Sequence, residues 1–248
     1  MPTTTVDPTS YARTRRSLHR IATHVLAQAR HADRGRIGLR VLPGGFGTPM
    51  FGENETVLRV AGHWLVREWR TDDGSHSAAF DLAGASVATS AGFAGVHLDP
   101  AFSVGDDTPE LGSIDEPLTV DPDAARFQAE WLHLGAQAVD RAVAALGEHG
   151  TPGIAQLWPE HFDLGLDVAT PLGRCNLGMS TGDGFCEEPY LYIGPWGSDR
   201  PGEAGFWNAP FGAYRPASDL GRGGLEAAGQ ALDTFLTEGL TRLGANHG

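Results

Sequence analysis

The run Gln156-Leu157-Trp158-Pro159-Glu160-His161-Phe162-Asp163-Leu164-Gly165-Leu166-Asp167, followed by Glu187-Glu188-Pro189-Tyr190-Leu191-Tyr192-Ile193-Gly194-Pro195-Trp196, decides how this chain reads. Its alternation has the two-residue period of a strand. Phe162, Leu164, Leu166 and Val168 fall on one face. His161, Asp163 and Asp167 fall on the other, with Gly165 leaving room between them. A second strand brings Tyr190 and Tyr192 close in sequence. The result is one surface loaded with carboxylates, an imidazole and aromatic rings.

Outward from this run, strands are expected over residues 154–158, 162–168, 175–179 and 190–193. A glycine- and aromatic-rich loop over 194–216 then leads to a closing helix with Leu225, Ala228, Leu232, Phe235, Leu236 and Leu243 on its apolar stripe. Upstream, Asp121-Pro122 has the form of a helix start, a capping aspartate before a first-turn proline. Phe127, Trp131, Leu134, Ala138, Ala142 and Leu146 mark that helix's buried face, and His149-Gly150 with Pro152 ends it. The first half repeats the scheme. A helix is expected over 10–32, from Leu18, Ile21, Ala22, Val25, Leu26 and Ala29. Strands follow over 36–42, 56–61 and 63–69, with a tight turn at Ala61-Gly62, a turn at Asp72-Asp73-Gly74 and a softer helix over 81–91.

These elements predict an α+β fold, mainly antiparallel sheet packed by three long helices. In each half a long helix feeds a strand that ends Pro-x-x-Phe, at Pro43 to Phe46 and again at Pro159 to Phe162. That predicts two pseudo-duplicated units, 10–98 and 118–216, within a single domain of residues 10–248, preceded by a disordered tail at 1–9. Between the halves, residues 99–123 hold eight acidic residues, four prolines and no basic residue. The stretch reads as an acidic linker, a lid or an irregular belt.

Composition narrows the chemistry. The net charge is −13 over 248 residues, which argues against nucleic acid and against an anionic membrane surface as partners. All 18 basic residues are arginines. Schiff-base chemistry, pyridoxal-phosphate anchoring and the P-loop phosphate site, which need a lysine amine, are therefore excluded. Cys175 and Cys186 have neither Cys-x-x-Cys spacing nor a disulfide framework. The polar N-terminus and the lack of a membrane-length apolar run point to a cytoplasmic protein with reduced thiols. No cofactor is called for.

Gly178-Met179-Ser180-Thr181-Gly182 matches Gly-x-Ser-x-Gly literally, but that nucleophile elbow needs a following helix and a downstream histidine. Asp183-Gly184-Phe185 instead looks like another turn. Gly44-Gly45-Phe46-Gly47 and Gly221-Arg222-Gly223-Gly224 lack the spacing of a dinucleotide loop. The candidate ligand-binding set is Trp158, Glu160, His161, Asp163, Glu187, Glu188, Tyr190, Tyr192 and Trp196, in an aromatic and acidic pocket of the second half. Two readings stay open. The protein binds a small molecule there, or it is a metal-assisted or carboxylate-based enzyme using His161, Asp163 and Glu187 or Glu188. The bland alternative is a solvent-facing polar strand surface.

The run Asp121-Pro122-Asp123-Ala124-Ala125-Arg126-Phe127, the strand from Pro159 to Leu166 and the segment Glu188-Pro189-Tyr190-Leu191-Tyr192 resemble an uncharacterised bacterial domain-of-unknown-function family. In that family a similar helix is followed by a Phe-Asp-Leu strand, a glycine loop and a Glu-Pro-x-x-Tyr strand. The likeness is clearest over 118–214 and fainter over 71–98. It implies a fold unit and transfers no activity. Where members place an extra histidine or glutamate, this chain has Asn176 and Asp183.

Overall fold

The chain folds as two antiparallel sheets with helices, the α+β class expected. The computed structural model describes residues 6–105, 108–220 and 224–245. Contacts divide it into an N-terminal unit, Thr4–His133 with Leu157–Phe162, and a C-terminal unit, Leu134–Gln156 with Asp163–Gly248.

In the N-terminal unit, Asp7 caps α1 (Pro8–Arg20) by accepting from Ser10 N, so the helix begins inside the tail expected over 1–9. Residues 1–5 of that tail lie outside the described residues. The helix expected over 10–32 is interrupted. A π-helical stretch, Ile21–Ala27, separates α1 from α2 (Gln28–Arg34). All seven π-helical residues are buried, so the protein surrounds this stretch on every side. Gly35 then closes the helix in the left-handed conformation at φ 63°.

Five strands follow as a meander: β1 (Arg40–Leu42), β2 (Gly45–Gly47), β3 (Val57–Ala61), β4 (Trp64–Thr71) and β5 (Gly74–Asp81). The strand expected over 36–42 pairs only over Arg40–Leu42, while Leu39 bridges to Leu157. The helix expected over 81–91 is corrected in two ways. The Asp72-Asp73 turn returns the chain as β5, and α3 (Val87–Ala94) starts late, at a Ser86–Thr89 capping box. Small residues in β5 (Ser75, Ser77, Ala78, Ala79) gave a weak strand signal. The described parts of the acidic stretch, 99–105 and 108–123, are tied to the unit as a belt. Leu118 and Val120 are core residues, Leu118 N donates to Ala85 O (2.6 Å), and Arg20 donates to Leu111 O and Ser113 O.

The segment Leu157–Phe162 completes this unit. Leu157 and Leu39 exchange backbone hydrogen bonds of 2.8 and 3.0 Å. Pro159 O accepts from His19 Nε2–H and from Thr23 Oγ1–H, each at 2.8 Å. Phe162 stacks on His19 and meets Phe46 edge-on at 5.1 Å, both phenylalanines being 1% exposed. Phe162 adopts φ 54°, a left-handed conformation that bulky residues rarely take. It therefore does not continue the strand face of Leu164 and Leu166 as expected.

Burial lowers the His19 imidazole to about 4, with the bond to Pro159 O opposing the shift. The unfolded chain, near the ordinary 6.5, thus takes its proton first as pH falls. Stability is fully present above about pH 6.5 and is lost toward pH 4, by up to roughly 3 kcal/mol for this group. Urea unfolding at pH 7 and pH 4.5 should show a drop that shrinks in His19→Gln. An equal drop in both proteins would remove His19 as its source.

Helix α4 (Pro122–Ala145) is opened by Asp121, whose Oδ1 accepts from Ala124 N, as expected. The division between the units falls inside it. In the C-terminal unit the meander is β6 (Thr151–Pro152), β8 (Asp163–Thr170), β9 (Gly173–Ser180), β10 (Tyr190–Pro195) and β11 (Ala213–Pro216), with β7 (Gln156–Trp158) between β6 and β8 in the chain. Helix α5 (Gly224–Arg242) closes it, burying Ala228, Leu232, Phe235 and Leu236. Residues 221–223 of the glycine loop expected before α5 lie outside the described residues. Leu164, Leu166, Val168, Cys175, Leu177, Met179, Leu191 and Ile193 form the buried apolar face of this sheet. The helices approach it through glycines. A Cβ on Gly135 would strike the Met179 side chain, and one on Gly239 would meet Ile193 at 2.8 Å.

Candidate functional site

The other face of the C-terminal sheet carries the candidate site. Strand register places Asp163 opposite Ser180 and Ser180 opposite Tyr190, three polar residues in one row across β8, β9 and β10. The next row is Gly165, Gly178, Tyr192 and Tyr214. The paired glycines leave the sheet bare, and the Tyr192 ring fills that space. A Cβ on Gly178 would lie 2.8 Å from the Tyr192 hydroxyl and 2.0 Å from Leu164 O. Tyr192 can therefore reach the preceding row, where its hydroxyl donates to Asp163 Oδ2 at 2.5 Å.

Tyr190 O–H donates to Asp183 Oδ2 at 2.5 Å. Asp183 Oδ1 accepts from Phe185 N and Cys186 N, which shapes the turn after β9. Gly182 N donates to Ser180 Oγ at 3.0 Å, and β10 rather than a helix follows, so Ser180 ends β9 without the strand-to-helix turn of a nucleophile elbow. Burial raises the hydroxyls of both tyrosines. The bond to Asp183 adds to it at Tyr190, and the Asp163 charge adds to it at Tyr192. Both hydroxyls stay protonated donors, so the carboxylates they face act as acceptors.

Aromatic rings close over this network. Phe185 meets Tyr214 at 4.9 Å, Phe211 at 5.0 Å and Tyr190 at 5.9 Å, all edge-on. Phe185 and Phe211 remain 46% and 38% exposed, so the cluster presents ring surface to solvent. Asp183, Glu187 and Glu188 flank Phe185 and Cys186 in the chain, and their charges all act on the Cys186 thiol. That thiol is raised first by burial and then by these carboxylates. Glu188 accepts from Ser218 N and Ser218 Oγ at 3.0 Å each. Among the described residues, no arginine pairs with Asp183, Glu187 or Glu188.

The predicted residues divide into three groups. Asp163, Glu187, Glu188, Tyr190 and Tyr192 lie in this region of the C-terminal unit. Trp158, Glu160 and His161 belong to the segment that completes the N-terminal unit, with His161 exposed. Trp196 sits farther along the sheet, past the row of Pro195 and Cys175. It is 62% exposed, donates from Nε1 to Asn176 Oδ1 and lies under the Arg174 guanidinium, which also pairs with Asp167. Among the described residues, no three histidine, cysteine, aspartate or glutamate side chains are grouped to hold a metal ion. No helix among them is long and apolar enough to cross a membrane.

Sequence reading missed two features. Asp183 and Phe185 have the local pattern of a turn, although Asp-Gly-Phe beside two glutamates is also a signal of a site. The N-terminal sheet also carries an open groove of about 350 Å³ lined by Met50, Glu55, Glu68, Trp69, Arg70 and His76 among others. Trp69 and His76 stack there at 5.3 Å as partners across the β4–β5 pair, a pairing visible only once β5 is recognised. No protein-family model, curated protein or solved structure matches the chain.

Proposed function

We propose that this protein binds a small organic cation, an amine, on the aromatic and acidic face of its C-terminal unit. One observation carries the reading. Asp183, Glu187 and Glu188 stand within three residues of the half-exposed Phe185 ring, their charges converge on Cys186, and among the described residues no arginine forms an ion pair with them. Aromatic faces attract cations, carboxylates beside them add Coulomb attraction, and a chain of net charge −13 draws cations toward it. The cytoplasm, where Cys175 and Cys186 stay reduced, is the setting that fits this reading. The bacterial family resemblance and the duplication of the two halves belong to the same proposal. Each unit contains a helix-flanked antiparallel meander, which supports the duplication, although Phe162 packs on Phe46 within the N-terminal unit rather than taking an equivalent place in the other.

Calorimetric titration with choline and with its uncharged carbon isostere, 3,3-dimethylbutanol, tests the reading. Choline should bind and the neutral isostere should not. Phe185→Ala should weaken choline by about 0.5–2 kcal/mol, the range of a cation–π contact. Asp183→Asn with Glu187→Gln should abolish it. Equal binding of both compounds, or none of either across a panel of primary to quaternary amines, would end the proposal.

A further inference from the structure

Strand β5 ends the N-terminal sheet, and its outer edge is open. It pairs with β4 over all eight residues in unbroken register, from Thr71 opposite Gly74 to Trp64 opposite Asp81. The bond from Leu82 N to His63 O (2.9 Å) sets which residues point inward. Hydrogen-bonded pairs alternate along an antiparallel ladder, so Phe80, Ala78, His76 and Gly74 turn their backbone groups to β4. Ser75, Ser77, Ala79 and Asp81 turn theirs away. All four are exposed, and among the described residues no other backbone group bonds to them. Protected sheet edges are usually short, bulged, or guarded by proline or lysine. β5 has none of these devices, and its outward-turned residues are small apart from Asp81 at the end.

We infer that this edge pairs with the same edge of a second copy of the chain, strand against strand and antiparallel. The two-fold axis passes beside Ala78. Ser75 then lies opposite the partner's Asp81, and Ser77 opposite the partner's Ala79. This register uses all four outward residues of each chain, giving about eight backbone hydrogen bonds. Charge selects it over its neighbour. Moving the axis to Ser77 would set Asp81 against the partner's Asp73, a like-charged cross-strand pair that destabilises. Moving it to Ala79 would leave Ser75 unpaired. The two five-stranded sheets become one continuous sheet across the dimer.

Sedimentation velocity on the full chain over a concentration series should show twice the monomer mass. Ala79→Lys, which adds charge to the edge, and Ser77→Pro, which removes only an outward N–H, should each give monomers with unchanged circular dichroism. Amide exchange on the unmodified protein provides a readout that needs no variant. The amides of Ser75, Ser77, Ala79 and Asp81 should exchange more slowly as concentration rises. A monomer at the highest soluble concentration, a dimer unaffected by both substitutions, or exchange at those four amides independent of concentration would each overturn the inference. A different protein adding its own strand here would leave the purified chain monomeric, and so counts against it.

Discussion

Phe162→Ala will destabilise the protein by about 3–5 kcal/mol, the range for removing a buried aromatic ring. The ring is 1% exposed, packs edge-on against Phe46 and stacks on His19. Losing it opens a cavity where the Leu157–Phe162 segment joins the N-terminal unit. The backbone at Phe162 adds a second, separable effect. Its φ of 54° is left-handed, which costs any residue with a Cβ roughly 1–2 kcal/mol and costs glycine almost nothing. Phe162→Gly should therefore be about 1 kcal/mol more stable than Phe162→Ala, although it removes one more carbon. Urea denaturation of the two variants and the parent gives both numbers. A glycine variant no more stable than the alanine variant would show that the left-handed backbone is not strained there.

Trp131→Ala should cost about 3–5 kcal/mol as well, by loss of transfer energy plus the cavity it leaves. Trp131 is 3% exposed on α4 and lies four residues from Phe127, which packs edge-on against Tyr11 of α1. Residues four apart share a helix face, so the two rings anchor one stripe of the N-terminal unit. A domain with a typical stability of about 5–15 kcal/mol loses a large fraction of it. Trp131→Phe keeps an aromatic ring at the position and should recover more than half of the loss. A melting temperature unchanged in Trp131→Ala would mean that the helix face is assigned wrongly.

Local chemistry made much of the fold legible. The capping aspartate Asp121, the two long apolar stripes, the Ala61-Gly62 hairpin and the alternation of Leu164, Leu166 and Val168 all rest on neighbours within a few residues. Such signals survive reading without a structure. The π-helical stretch, β5 and β11 were not legible. The first is a change of helical pitch that leaves the apolar spacing intact. The second is made of small, weakly patterned residues held by β4, and the third is a short edge strand inside a glycine-rich loop.

The candidate site shows the same division. Composition and spacing alone assigned the α+β class, excluded lysine-dependent chemistry and pointed to Asp163, Glu187, Glu188, Tyr190 and Tyr192 as residues of one region. Which of the other aromatic and acidic residues join them depended on tertiary structure. Strand register put Asp163, Ser180 and Tyr190 in one row, and the Gly165–Gly178 gap let Tyr192 reach back to Asp163. A left-handed turn at Phe162 assigned Trp158, Glu160 and His161 to the N-terminal unit, although Asp163 is the next residue in the chain. The physical reason is range. Propensity and periodicity act over a few bonds, whereas register, backbone handedness and the space above a glycine are set by residues far away in sequence.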